Sequence, residues 1–147
     1  MTKWPSGTAL ALGEPATGLK GWRLTHRQAQ DALLVSLRQQ QTITRYAEIA
    51  LLAHWLRDDE RARELVKIYL SPLDHHQCTG TTLRETLRGY FAAGRNASEA
   101  SRSLNVSRRT MRNRMSMIEK SLAAHLDTHQ AELEMALRLE KLLDVRT

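Results

Sequence analysis

Residues 95–120, which read RNASEASRSLNVSRRTMRNRMSMIEK, decide the fold of the chain. Seven basic residues and only two acidic ones give this stretch a net charge of +5, against +6 for the whole chain of 147 residues. The rest of the chain is therefore close to neutral. A basic excess that is confined to one short stretch indicates that a polyanion binds there.

Two helices joined by a sharp turn are predicted within this stretch. Asn96, with a glutamate three residues later, has the pattern of a capping box and predicts a short helix over 97–104. Asn105 stands where the chain must reverse, and asparagine tolerates positive φ better than any residue except glycine. Ser107 is a favoured N-cap residue and predicts a second helix over 108–124. This is the arrangement of a helix-turn-helix.

The second helix is predicted to have an apolar face and a basic face. The apolar residues recur at helical spacing, which indicates packing on a core: Met111, Met115, Ile118 and Leu122. At about 100° per residue, a polar group lies on an arc centred roughly 120° away. That group comprises Arg108, Arg109, Arg112 and Asn113. A helix that packs on one side and presents arginines on another can enter the major groove of DNA.

Two further helices are predicted around this pair. Thr82, with a glutamate three residues later, resembles another capping box, and Gly94 suits the left-handed residue after the end of that helix. Asp127 is predicted to cap a last helix over 128–145. The apolar residues available for packing on it are Leu133, Ala136, Leu137, Leu139, Leu142 and Leu143. The polar stretch 73–80 (LDHHQCTG) is predicted to be a linker.

The N-terminal half predicts a small α/β region. Alternating apolar residues predict a strand over 8–12, and β-branched residues predict a second strand over 41–46. A loop is expected over 15–21. Two strands alone are marginal in water, so they need helices over them or a partner chain.

Three helices are predicted in the same half. Thr25, with a glutamine three residues later, resembles a capping box and predicts a helix over 25–39. An apolar run predicts a buried helix over 47–56. The acidic residues 58–60 favour the start of a third helix, which Pro72 prevents from continuing far.

The predicted fold class is mainly α, with a helix-turn-helix domain over 73–147 and a partial α/β and helical region with two short strands over 1–72. No stretch approaches the roughly 20 apolar residues of a membrane span, and the N-terminus lacks the pattern of a signal peptide. Aromatic residues make up 5% of the chain. This disfavours RNA and single-strand binders, which stack bases on aromatic side chains. We expect a cytoplasmic protein with no membrane association.

Neither catalytic nor metal-binding patterns are supported by the sequence. There are no paired carboxylates with a glycine-rich loop, and no Ser-His-Asp or Cys-His grouping has supporting context. Asp74, His75, His76 and Cys78 lie close together in sequence. Adjacent histidines point in different directions on most backbones, and no second ligand pair accompanies them. We therefore predict a solvated linker there, no enzyme activity and no cofactor.

A series of short motifs runs through residues 83–143. In chain order they are Thr86-Leu87, Tyr90, Gly94-Arg95-Asn96, Leu104-Asn105-Val106, Arg108-Arg109-Thr110, Arg114, Ile118-Glu119 and Met135-Ala136-Leu137-Arg138-Leu139. With these motifs the segment resembles the C-terminal helix-turn-helix of PucR/CdaR-type bacterial transcriptional regulators and, more distantly, the Fis-like helix-turn-helix. The resemblance implies DNA binding. At Ser107, Arg109 and Asn113 the family often has His, Asn and Tyr, so its base preference is not carried over.

A weaker resemblance covers residues 10–72. The motifs that support it are Ala11-Leu12-Gly13, Gly18-Leu19-x-Gly21-Trp22 and Gln28-Ala29. They resemble the end of the CdaR-type, GGDEF-like α/β domain that precedes the helix-turn-helix in this family. Family members usually carry a longer N-terminal ligand-sensing region, so the resemblance implies that an effector is sensed by a region absent from this chain.

The basic face and the resemblance together give ten candidate DNA contacts: Arg95, Asn96, Arg102, Ser107, Arg108, Arg109, Thr110, Arg112, Asn113 and Arg114. The first turns of a recognition helix enter the groove. The residues expected to approach base edges are therefore Ser107, Arg109, Thr110 and Asn113. Arginine can pair with guanine and asparagine with adenine. The remaining arginines are expected to divide between phosphate and base contacts.

Three functions stay open from the sequence alone. The leading hypothesis is a transcriptional regulator that binds double-stranded DNA in the nucleoid as a homodimer and reads the major groove with helix 108–124. An architectural DNA-bending protein, bound largely through the DNA backbone, is the second. A protein-interaction or dimerisation module is the third. The first two predict that affinity falls steeply with salt.

Overall fold

A computed structural model of the chain describes residues 8–75, 80–122, 126 and 128–143. In this part the elements are β1 (Leu10–Leu12), α1 (Gly18–Gln39), β2 (Ile43–Arg45), α2 (Tyr46–Trp55), α3 (Asp59–Leu70), α4 (Gly80–Ala92), α5 (Ala97–Ser103), α6 (Arg108–Ser121) and α7 (Gln130–Leu143). The predicted fold class, mainly α with two short strands, is confirmed. None of these helices has the length and apolar character needed to span a bilayer.

The chain divides into two compact units. Among the described residues, one comprises 8–62 together with 141–143, and the other lies within Arg63–Glu140. The division predicted from the sequence, between residues 72 and 73, stays a prediction.

The first unit is built around a parallel pair of strands. Leu10 pairs with Ile43, and Leu12 pairs with Arg45. Parallel strands need a crossover connection, which α1 supplies, and α1 packs on both strands and on α2. Val35 on the inward side of α1 is fully buried. Both predicted strands are confirmed at shorter bounds, because only three residues of each pair with the neighbouring strand.

α1 begins at Gly18, two turns before the start predicted at Thr25, so the loop predicted over 15–21 is wrong in its second half. The hydroxyl of Thr25 donates to the carbonyl of Glu14 at 2.6 Å, and the side chain of Gln28 accepts from the N–H of Glu14 at 2.9 Å. These two residues fasten the β1–α1 loop to the flank of the helix. Their one-turn spacing resembles a capping box, because capping a helix and bonding to a neighbouring loop both require polar side chains beside a backbone segment.

The segment after α3 is folded, and the predicted linker is wrong in its first part. Ser71–His75 forms a 3-10 turn, and Leu73 within it is fully buried. α4 begins two residues before Thr82, so Thr82 lies inside that helix and does not cap it. The polar composition of this stretch predicted a linker. Composition does not show that one apolar side chain within a polar stretch, here Leu73, packs into a core. Residues 76–79 lie outside the described residues.

One apolar core holds the second unit together. Its buried members are Leu70, Leu73, Leu83, Leu87, Ala100, Met111, Met115, Ile118, Leu126, Leu133, Ala136 and Leu137. α4, α5 and α6 pack on one another in all three pairs. The predicted apolar face of α6 is therefore confirmed, and Leu122 packs against the same core half-buried. Met117 also packs against this core half-buried.

α7 is shorter than predicted but buries the residues that were expected to pack. It covers Gln130–Leu143, while the prediction was 128–145. The six apolar residues predicted for packing are all buried. The predicted cap at Asp127 lies outside the described residues.

A nearly buried carboxylate ties α4 to α7. Glu140, whose side chain is 9% exposed, forms ion pairs with Arg84 and Arg88. Arg84 also donates to a carboxylate oxygen of Asp74 at 2.6 Å. A desolvated carboxylate is costly unless it is paired and hydrogen-bonded, so the two arginines are what make Glu140 tolerable at this position.

We expect Glu140→Ala to lower the free energy of unfolding by about 2–4 kcal/mol, because the substitution leaves two partly buried guanidinium groups without their shared acceptor. Urea denaturation followed by circular dichroism measures the change. Glu134→Ala is the matched control, since Glu134 is exposed on the same helix. The control should stay within about 0.5 kcal/mol of the unsubstituted protein. Equal effects of the two substitutions would contradict this role for Glu140.

Candidate nucleic-acid interface

The turn between α5 and α6 has the geometry of a Schellman motif. Asn105 has a φ of 52°. The N–H of Val106 donates to the carbonyl of Ser101 at 2.9 Å, and the N–H of Asn105 donates to the carbonyl of Arg102 at 3.1 Å. These two bonds satisfy the last carbonyls of α5 and require a left-handed residue between them. The turn predicted at Asn105 is confirmed.

The turn between α4 and α5 ends its helix in the same way. Gly94 has a φ of 59°, as predicted from its position. The N–H of Arg95 donates to the carbonyl of Tyr90 at 2.8 Å, and the N–H of Gly94 donates to the carbonyl of Phe91 at 3.0 Å. Arg95 also has positive φ, at 67°. Two such reversals in succession bring three helices onto one core.

Side-chain caps fix where α5 and α6 begin. The side-chain oxygen of Asn96 accepts from the N–H groups of Ser98 and Glu99 at 3.0 and 3.2 Å. The hydroxyl of Ser107 accepts from the N–H of Thr110 at 3.0 Å. Both predicted caps are confirmed. The reciprocal bond of the capping box is absent at Asn96, because the Asn96 N–H donates to the carbonyl of the preceding turn.

Four polar residues of α6 lie on the side away from the core. Arg108, Arg109, Arg112 and Asn113 are exposed. None of their side chains forms a hydrogen bond or ion pair with another described residue. The first turn of α6 carries no acidic residue, so nothing offsets the positive end of the helix dipole there. This end of the helix attracts anions.

Arg114 and Thr110 lie differently from these four residues. Arg114 is half-buried, and its guanidinium donates to the hydroxyl of Thr86 on α4 at 3.3 Å. Thr110 is half-buried, and its hydroxyl lies 2.8 Å from that of Ser107. For Arg114, the half-buried position could have been predicted from its angle around the helix axis. At about 100° per residue, Arg114 falls roughly 60° from Met111, on the side opposite to the other arginines.

The candidates outside α6 are exposed, and each has a partner inside the protein. A guanidinium nitrogen of Arg95 donates to the side-chain oxygen of Gln130 at 2.7 Å. Nε of Arg102 donates to the carbonyl of Ser98 at 3.4 Å, a long bond that leaves the rest of the guanidinium in solvent. Asn96 serves as the N-cap of α5. These residues border the arginine side of α6 in sequence, on the preceding turn and helix.

Two exposed residues that the sequence argument did not select extend the same side of α6. Ser116 follows Arg112 by four residues, and Lys120 follows Ser116 by four. Continuing the i, i+4 spacing from Arg112 would have found them.

Residues 83–139 match the PucR C-terminal helix-turn-helix domain. This segment is a PucR-type helix-turn-helix. The match covers α5, the turn and α6 in full, with most of α4 and α7. The PucR-type domain is a DNA-binding domain of transcription regulators, and the resemblance found in the sequence is confirmed. Comparison of the whole chain with curated proteins and with solved structures gave no match.

The possible metal ligands considered from the sequence, near residues 74–78, are only partly described by the structure. No group of three or more His, Cys, Asp or Glu side chains in the described part of the chain is arranged to hold a metal ion. Asp74 bonds to Arg84. His76 and Cys78 lie outside the described residues.

We expect Asn96→Ala to lower the free energy of unfolding by about 1 kcal/mol, because two N–H groups at the start of α5 lose their acceptor. Asn96→Asp keeps an acceptor and should restore most of that loss. Asn113→Ala is the matched control, since Asn113 is exposed and bonds to no other described residue. Urea denaturation compares the three variants. If Asn96→Asp is as unstable as Asn96→Ala, the cap is not what Asn96 contributes.

Proposed function

We propose that this protein is a sequence-specific transcription regulator that binds double-stranded DNA and reads the major groove with α6. The observation that carries the proposal is the cluster of Arg108, Arg109, Arg112 and Asn113 on the exposed side of α6. Arginine side chains that bond to nothing within a protein are available to a ligand. Their position on the second helix of a helix-turn-helix is the position from which such proteins contact DNA.

Base contacts are assigned to Arg109 and Asn113. They are four residues apart on α6 and project from the same side, so both can reach the floor of one groove. A guanidinium can donate two hydrogen bonds to guanine, and a carboxamide can pair with adenine. Ser107 and Thr110 lie at the start of α6, where their hydroxyl groups retain hydrogen-bonding capacity for a base or a phosphate.

Phosphate contacts are assigned to Arg102, Arg108 and Arg112. They are exposed on the two helices of the motif, and the positive end of α6 lies beside Arg108. Contacts of this kind orient a protein on the duplex without reading its sequence. Arg95 and Asn96 are placed at the border of the interface. Arg114 is assigned a positioning role, since its bond to Thr86 fixes the rotation of α6 relative to α4.

A homodimer belongs to this proposal. One helix-turn-helix contacts only a few base pairs, and two copies bound to half-sites one helical turn apart supply the rest of the recognition sequence. The function implies a location on the chromosome, in the cytoplasm of a bacterium.

We expect Arg109→Ala to weaken specific duplex binding by roughly 5- to 150-fold, which corresponds to about 1–3 kcal/mol for its base contact. Arg112→Ala removes a phosphate contact and should weaken binding to all duplexes alike. Fluorescence anisotropy with a labelled duplex, first selected from a random library, measures the affinity. Arg138→Ala is the matched control, because it removes the same charge from an exposed position on α7. Unchanged affinity in both α6 variants would refute the assigned interface.

A second measurement separates sequence reading from architectural binding. In the selected duplex, each base-pair change within the site should cost about 1–3 kcal/mol. Arg109→Ala should flatten this dependence at one position, whereas Arg102→Ala should weaken all duplexes alike and reduce the salt dependence. Equal affinity for all base-pair changes, together with strong salt dependence, would indicate architectural binding. Absence of duplex binding at moderate salt would indicate a protein-interaction module.

A further inference from the structure

Arg95 has a backbone conformation that arginine rarely adopts. Its φ is 67°, and the φ of the preceding Gly94 is 59°. The N–H of Asn96 donates to the carbonyl of Ala93 at 3.1 Å, which closes a β-turn around these two residues. Positive φ at both central residues is typical of a type I′ turn, which favours glycine, asparagine or aspartate at each of them.

The turn between α4 and α5 therefore strains an arginine at position 95. In the left-handed region a Cβ atom comes close to the following carbonyl oxygen, and glycine avoids this contact because it has no Cβ. Arg95 is the only residue between Gly94, the left-handed residue after α4, and Asn96, the N-cap of α5. The chain must therefore turn again at this one residue. The fold requires the backbone conformation of Arg95 but not its side chain.

The side chain of Arg95 offsets little of this strain within the protein. It is exposed, and one of its guanidinium nitrogens donates to the side-chain oxygen of Gln130, the first residue of α7, at 2.7 Å. Water can replace a bond of this kind, so its net contribution to stability is small. Gln130 is uncharged, and Arg95 forms no ion pair with another described residue, so its positive charge is uncompensated. Strained residues are found preferentially where a ligand is bound.

The place of Arg95 in the helix-turn-helix suits a contact with a DNA phosphate. In such a motif the second helix lies in the major groove, while the first helix crosses the sugar-phosphate backbone. α5 has seven residues, which at 1.5 Å per residue is about 10 Å of helix. Arg95 lies before the first residue of α5, whereas α6 follows its last. The length of α5 thus separates Arg95 from the start of α6 by nearly the width of the major groove, about 12 Å.

We propose that Arg95 binds a phosphate at the edge of the groove that α6 enters, and that Gln130 is a positioning residue that orients the Arg95 guanidinium for this contact. This inference rests on the proposed function, because it needs a duplex bound at α6. The uncharged oxygen of Gln130 engages one guanidinium nitrogen and leaves the other N–H groups and the full charge for the phosphate. A side chain that is oriented before binding loses less conformational entropy when it binds.

Arg95→Gly separates stability from binding. Glycine adopts positive φ without strain, so the Tm of this variant should equal or exceed that of the unsubstituted chain. Its affinity should fall at least threefold, alike for the selected duplex and for unrelated ones, because a phosphate contact reads no sequence. The plot of log affinity against log salt should become shallower by about 0.9, the value for one phosphate contact. Arg138→Ala, which removes a charge from an exposed position on α7, is the matched control and should change this slope much less.

Gln130→Ala tests the positioning role through a double-mutant cycle. If Gln130 acts through Arg95, Gln130→Ala should weaken duplex binding about two- to threefold in the unsubstituted chain and have no effect in Arg95→Gly. Two residues that act through one contact are not additive, whereas a structural effect of Gln130 would weaken both proteins alike. Equal weakening in the two backgrounds overturns the positioning role.

The outcomes distinguish this inference from the proposed function. Unchanged duplex affinity in Arg95→Gly, while Arg109→Ala still weakens binding, overturns the phosphate contact and leaves the proposed function intact. Unchanged affinity in both variants overturns both proposals. Arg95→Asn is the second variant in case Arg95→Gly does not fold, because asparagine also tolerates positive φ and lacks the charge. Circular dichroism confirms that each variant is folded before its affinity is compared.

Discussion

Burial of the apolar face of α6 is the constraint on which the DNA-binding half of this protein depends. Met111, Met115 and Ile118 occupy a core shared with α4 and α5, and this fixes the rotation of α6 about its own axis. Because side chains at fixed angular offsets cannot all face inward, Arg109 and Arg112 must face solvent once the methionines are buried. The basic surface is thus a geometric consequence of core packing.

Two left-handed residues convert this packing into a helix-turn-helix. Gly94 and Asn105 let α4 and α5 each end in a Schellman turn, and the caps at Asn96 and Ser107 start the next helix immediately. These turns and caps give hydrogen-bond partners to the N–H and C=O groups at the helix ends. The free-energy cost of burying those groups near the core is therefore lower. The interhelical turns are therefore short and rigid. A rigid scaffold is what positions side chains against base edges with useful precision.

The first unit obeys the same physics with a different outcome. Its parallel strands are covered by α1, yet α1 keeps a second apolar side that no described residue buries. One side of α1 covers the sheet, and the other side leaves apolar side chains in contact with water, which is unfavourable. Amphipathic helices therefore occur in both units. In the second unit α6 exposes charged side chains, whereas in the first unit α1 exposes apolar ones.

The sequence alone determined the helix-turn-helix, the left-handed turns at Gly94 and Asn105, and the caps at Asn96 and Ser107, because each is set by contacts within a few residues along the chain. It also determined the buried face of α6, which follows from the spacing of the apolar residues. It did not determine the start of α1, the burial of Leu73 or the bond between Arg114 and Thr86. Thr25 and Gln28 bond to Glu14 instead of capping a helix, Leu73 packs into the shared core, and Arg114 bonds to Thr86. Each of these partners lies more than ten residues away or on another element. The tertiary structure decided these features, because a side chain can bond to or pack on a residue that is distant in sequence only after folding brings the two together.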